Sequence, residues 1–151
     1  MTRSVTRRLI LVSALAATLV LGACATATGP QFTALEAVPA GQVNVVVYRK
    51  AALYASGGAY DVALNGKPAG KLFNASYLVI RVAPGEHSFS IDEGPLISLK
   101  TFKVTAEAGK RYFVEYDSSK GLLLGWGLLS GSAAKGEPEA LADLKELKRA
   151  Q

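Results

Sequence analysis

Few side chains in this sequence could do chemistry. The 151 residues include one cysteine, Cys24, and one histidine, His87. Hydrolase triads and most transition-metal sites would have to use that histidine, and zinc takes three or four N, S or O ligands. His87 follows the turn dipeptide Pro84-Gly85 and shares strand parity with Phe89 and Ile91, which marks it as a structural histidine near a sheet edge. Paired carboxylates can carry acid–base catalysis without histidine, and Asp92/Glu93 and Glu115/Asp117 are the candidates. The first pair flanks a turn. The second shares with Arg111 the strand face opposite Tyr112, Val114 and Tyr116, the expected solvent face of a half-buried strand. No residue of opposite role is set near either pair. Ser56-Gly57-Gly58-Ala59 lacks the Gly-Lys-Ser/Thr of a phosphate loop. The expectation is a chain without catalytic residues, metal ligands or cofactor, and not an enzyme.

Cys24 has a more telling context. Arg3, Arg7 and Arg8 precede an apolar run at residues 9–21, and Gly22-Ala23 stand before the cysteine. A basic start, a short apolar stretch and small residues are the parts of a secretory signal peptide. A helix over that run spans roughly 20 Å, short of the ~30 Å bilayer core, so it suits a cleaved leader better than a lasting span. Leu21-Gly22-Ala23-Cys24 resembles the bacterial lipobox, in which the thiol takes a diacylglyceryl group and the peptide bond before it is cut. The resemblance implies cleavage between Ala23 and Cys24, lipid attachment at Cys24, and anchoring by two or three acyl chains, since one gives only marginal binding. Thr6-Arg7-Arg8-Leu9 loosely resembles a twin-arginine export motif, but the strongly apolar run favours the general secretory route. Ala25 stands where an aspartate would retain many lipoproteins in the inner membrane, so the outer membrane is the expected location.

Export also changes the reading of charge. The formal +5 falls to +2 once the three leader arginines are removed, which leaves no basic stripe for nucleic acid. Residues 24–40, rich in Ala, Thr, Gly and Pro, read as a flexible tether, with Phe32 and Leu35 able to dock on the domain. The expected organisation is signal peptide 1–23, tether 24–40 and one domain over 41–151.

The elements that would position any site are short strands. Val43, Val45 and Val47 share one face, and Tyr60, Val62 and Leu64 alternate before Asn65-Gly66, a hairpin turn whose central residues need positive φ. Residues 67–73 form the return strand, Leu78, Ile80 and Val82 alternate next, and His87, Phe89 and Ile91 follow Pro84-Gly85. Residues 96–104 change phase near Lys100, which suggests a bulge. Tyr112, Val114 and Tyr116 close the series. About seven strands at this spacing predict a mainly β fold, an antiparallel sandwich of immunoglobulin or transthyretin type. A C-terminal helix opens at Pro138 and carries the stripe Ala140, Leu141, Leu144 and Leu147, with Lys145, Lys148 and Arg149 at its negative end. Residues 121–131 are apolar and glycine-rich without clear period, and fit the open end of the sandwich or a hydrophobic loop.

Taken in order, several short strings carry a resemblance: Val47-Tyr48-Arg49, Tyr60-Asp61-Val62-Ala63-Leu64-Asn65-Gly66-Lys67, Asn74-Ala75-Ser76-Tyr77, Pro84-Gly85-Glu86-His87, Ala108-Gly109-Lys110-Arg111-Tyr112 and Leu144-Lys145-Glu146-Leu147. Over residues 42–148 the chain resembles an uncharacterised bacterial lipoprotein family, the domain of unknown function 2846. It departs from that pattern at Ala75, where glycine is expected, and along residues 121–131. The resemblance implies a β-sandwich-like domain on a lipid anchor and brings no activity, cofactor or catalytic residue.

The six tyrosines offer aromatic faces of the kind that suit sugars, although tyrosine is also a favoured strand residue. Tyr60, Tyr112 and Tyr116 read as core. Tyr54 in its Gly/Ser-rich loop, His87, and Trp126 are the candidate ligand contacts. The expected function is a membrane-anchored envelope module that meets a protein or glycan partner. The alternatives are a small envelope-acting hydrolase using His87 or Glu115/Asp117, and a carrier of an apolar ligand.

Overall fold

The computed structural model describes residues 26–53, 56–92, 94, 99–117 and 132–150. Its strands are β1 (Val43–Arg49), β2 (Tyr60–Leu64), β3 (Lys67–Leu72), β4 (Ser76–Val82), β5 (Gly85–Asp92), β6 (Lys100–Ala106), β7 (Arg111–Tyr116), β8 (Ser132–Lys135) and β9 (Lys148–Arg149), with one helix, α1 (Glu137–Leu144). They form a five-stranded sheet in the order β8-β7-β1-β4-β9 and a four-stranded sheet in the order β3-β2-β5-β6. The mainly β class and the two layers agree with the alternation in the sequence. The described strands number nine, against about seven expected. The ladders are not all antiparallel: β1 pairs parallel to β7, and β4 parallel to β9.

Inward-facing side chains fill the space between the sheets. Val43, Val45 and Val47 of β1 and Leu78, Ile80 and Val82 of β4 meet Val62 of β2, Leu72 of β3, and Phe89 and Ile91 of β5. Phe89 stacks on Phe102 of β6, with ring centroids 5.2 Å apart. Asn65 (φ 50°) and Gly66 (φ 76°) form the expected β2–β3 turn. The phase change near Lys100 needs no bulge in β6, whose register against β5 runs unbroken from Lys100 to Ala106. Residues 96–98 of that run lie outside the described residues.

The five-stranded sheet is buried on both faces. All seven residues of β1 are inaccessible, as expected for a strand with a parallel neighbour and covered faces. The outer cover is a second apolar cluster in which Phe32, Ala140, Leu144 and Leu147 lie over Val46, Tyr48, Tyr77 and Phe113. Here the structure corrects the expectation that the Glu115 face of β7 looks into solvent. That face carries Phe113 as well, and α1 packs across it.

The helix is shorter than its apolar stripe suggests. Glu146 N–H donates to Asp143 O (3.2 Å) and Leu147 N–H to Leu144 O (2.9 Å), the three-residue bonds that tighten a last turn. The chain then turns extended. Lys148 N–H donates to Ala75 O and Ala150 N–H to Tyr77 O, so β4's open edge takes up residues expected to prolong the helix. No basic residue remains in the last helical turn.

Residues 26–38 run along this edge. Gly29 N–H donates to Arg149 O (3.1 Å), Arg149 N–H to Pro30 O (2.9 Å) and Phe32 N–H to Leu147 O (2.9 Å). Phe32 is buried edge-to-face on Tyr77, and the Glu36 carboxylate pairs with Arg81 and Arg149. Thr26 bridges Asn74. Much of the segment expected as a tether is thus in contact with the domain.

Candidate functional site

A network of polar side chains lies between α1 and the outer sheet face. Glu115, 7% exposed, accepts from Lys50 Nζ at 2.9 Å and from Lys135 Nζ at 3.2 Å. Lys135 also reaches Glu139 (2.6 Å), and Lys50 approaches Asp143 (3.5 Å). The buried Tyr48 hydroxyl donates to Asp143 Oδ2 at 2.9 Å. Burial, then the Asp143 carboxylate, pushes the Tyr48 phenol far above its ordinary value. The bond to Glu115 raises the Lys50 ammonium, and bonds to Glu139 and Glu115 raise Lys135. These groups are locked in the protonation states that hold α1 to the sheet. Of Glu115 and Asp117, the carboxylate pair proposed from sequence, Glu115 is fixed between two ammonium groups.

Where the edges of the two sheets diverge, a cleft of about 370 Å³ opens between β6 and β7–β8. Phe102, Val104, Tyr112 and Val114 give it an apolar wall, and Arg111 and Lys135 add positive charge. Arg111 is held by Glu137 Oε1 (3.2 Å) and Glu36 O (3.1 Å). Among the described residues β6 is an edge strand, paired only with β5.

At the end where β1 finishes, Arg49 is almost wholly buried (1% exposed). Its Nη1 donates to Gly58 O at 3.0 Å, and its guanidinium lies 4.4 Å from the centre of the Tyr60 ring. Tyr60 in turn meets Tyr116 edge-on at 5.6 Å. A smaller cavity of about 180 Å³ lies beside Arg49, Lys50, Glu115, Tyr116 and Asp117, so both carboxylates of the proposed pair line it. Arg49 was not singled out in the sequence, yet the parity of Val43, Val45 and Val47 continues onto it and was the available signal.

His87 stands at the opposite end. Its Nε2–H donates to Ala83 O (2.8 Å), and Nδ1 accepts from Asn65 Nδ2 (3.2 Å). Asn65 Oδ1 accepts from Ser88 N–H (2.9 Å). The ring ties the β2–β3 turn to the β4–β5 turn, and it lines neither cavity described above. Asp92 Oδ1 accepts from Gly94 N–H (2.8 Å), a turn-forming bond. The other residues proposed from sequence, Ala23, Cys24, Tyr54 and Trp126, with Glu93, lie outside the described residues. Among the described residues no cluster of three His, Cys, Asp or Glu side chains could hold a metal ion, and no helix is long and apolar enough to cross a membrane.

No curated protein matches the chain. A family model described as a protein of unknown function, DUF2846, matches residues 39–125, which takes in β1 to β7, the edge cleft's apolar wall, His87 and Glu115. With more than half of its length matched, the chain belongs to the DUF2846 family of proteins of unknown function.

Proposed function

We propose that this chain is a bacterial envelope lipoprotein, anchored by acyl groups on Cys24, whose sandwich serves as a non-catalytic interaction module. The observation that carries the anchor is the ordered series of Arg7-Arg8, the apolar run 9–21 and Leu21-Gly22-Ala23-Cys24. Every described element lies beyond Cys24. Ala25 favours the outer membrane. Support for a non-catalytic role comes from the groups an enzyme would use: both His87 nitrogens and both Glu115 oxygens are spent on structural bonds. The edge of β6 and the aromatic wall of the adjoining cleft suit an envelope protein or glycan partner.

The decisive test is mass spectrometry of the native protein from membranes. A mature chain beginning at Cys24 and carrying diacylglycerol is expected, and a bare thiol on an uncleaved chain would sink the reading. For the partner, immobilised domain is exposed to envelope fractions beside a Phe102→Ala/Tyr112→Ala variant. A component held by the first and lost by the second supports the cleft, whereas equal retention removes it.

A further inference from the structure

The described loops of the two ends of the sandwich differ sharply in character. Strand registers define the ends. Arg49 lies opposite Ser76 and Tyr48 beside Glu115. Tyr116 faces Ser132, and Ser76 lies beside Lys148. In the second sheet Tyr60 faces Leu72, Asp61 faces Asp92 and Ile91 faces Lys100. The short β3–β4 connection at 73–75 brings these ends of the two sheets together. Arg49, Tyr60, Leu72, Ser76, Asp92, Lys100 and Tyr116 therefore stand at one end, with the described residues of the loops beside them. The other carries Asn65-Gly66, Ala83-Pro84 and the 107–110 turn.

Among the described residues, the large apolar side chains left exposed are Leu53, at 99%, and Leu99, at 59%. Leu53 belongs to the β1–β2 connection and Leu99 to the β5–β6 connection, so both are at the first end. The turns of the opposite end hold only small, polar or proline residues. The two exposed leucines thus stand at the same end of the sandwich.

The start of the fold lies at the same end. Thr26 bridges Asn74 in the β3–β4 connection, and Asn74 Oδ1 accepts from Ala52 N–H (2.9 Å), next to Leu53. Thr26 is two residues after Cys24, a reach of at most about 7 Å. A free tether over residues 24–40 would instead reach ~55 Å and leave the domain without a fixed orientation. Ala27 is buried, and a β-carbon on Gly29 would stand 2.2 Å from Arg149 O, so the chain is closely fitted immediately after that short link.

We infer that the sandwich lies end-on against the bilayer, with Thr26, Leu53, the 73–75 connection and Leu99 at the lipid headgroups. The inference rests on acylation of Cys24. The opposite end, with Asn65, Pro84 and His87, then points away from the membrane.

The test uses full-length acylated protein in vesicles with quencher-labelled headgroups. Acylation blocks the Cys24 sulfur, so an introduced cysteine takes the only dye. Labels go at Leu53→Cys, at Ser56→Cys in the same loop, and at Pro84→Cys on the far end, about 20 Å away along the strands. Severalfold stronger quenching at positions 53 and 56 than at 84 is the expected result. Equal quenching at all three, or stronger quenching at 84, in protein that sediments with the vesicles overturns the orientation. The Ser56 label keeps the test valid if Leu53→Cys folds poorly. Protein that does not sediment overturns the anchor itself, in a step read before any quenching.

Discussion

The Tyr48 hydroxyl and the Asp143 carboxylate meet at 2.9 Å although 95 positions separate them, and this contact joins the central strand of the larger sheet to α1. It turns the outer sheet face into a second interior. Around it Glu115, Lys50, Lys135 and Glu139 form a chain of ion pairs that accounts for the polar residues under the helix without invoking catalysis.

Tyr48 and Lys50 should make the fold sensitive to alkali. Both groups have raised values in the fold, Tyr48 through burial and Asp143, and Lys50 through Glu115. The unfolded chain therefore releases these protons first. The stability they contribute is whole below about pH 10 and declines as pH rises beyond it. Tyr48→Phe should cost about 1–2 kcal/mol at neutral pH and make the alkaline decline shallower. Urea unfolding of both proteins across this range checks it, and identical slopes would count against the assignment.

Glu115→Gln should destabilise the domain by about 1–2 kcal/mol, below the ~3–5 kcal/mol of a fully buried broken pair, because the Lys50 side chain is half exposed. The loss should centre on α1. Hydrogen exchange would show faster opening of residues 137–144 than of β5 and β6, and a uniform change would argue against a local clasp.

His87→Ala removes the bonds to Ala83 and Asn65 and should lower stability by about 1–2 kcal/mol, while partner retention by the β6 edge is unchanged. If thermal melting is unaffected but a cellular phenotype is lost, the structural role assigned to this ring is wrong.

Ala75 holds φ at 52°, in the left-handed region, where a β-carbon costs ~1–2 kcal/mol. Glycine there gives up part of that gain through its freer unfolded chain. Ala75→Gly should stabilise the domain by about 0.5–1 kcal/mol, measured as a shift in denaturation midpoint.

Gly29→Ala should detach the N-terminal segment, because its β-carbon would collide with the Arg149 carbonyl. Limited proteolysis is expected to cut within residues 26–36 while the β1–β7 core resists. Unchanged cleavage would mean that the segment is held elsewhere.

Local chemistry made much of this fold legible. Alternation placed Val43, Val45 and Val47 in the core, Asn65-Gly66 announced its turn, and the hairpin partners followed because neighbouring strands pair through short connections. Parallel pairing of β1 with β7, and of β4 with the last residues of the chain, involves partners far apart in sequence, so no local pattern specifies it. Burial of Glu115 likewise depended on where α1 came to rest. The sequence by itself determined which side chains alternate, where the chain turns, and the order of arginines, apolar run and small residues before Cys24. Only the tertiary structure decided which faces are covered, that Arg49 closes one end over Tyr60, and that residues 26–38 bind the domain edge. Periodicity records one buried face at a time, whereas the second face is buried by segments that arrive from elsewhere in the chain.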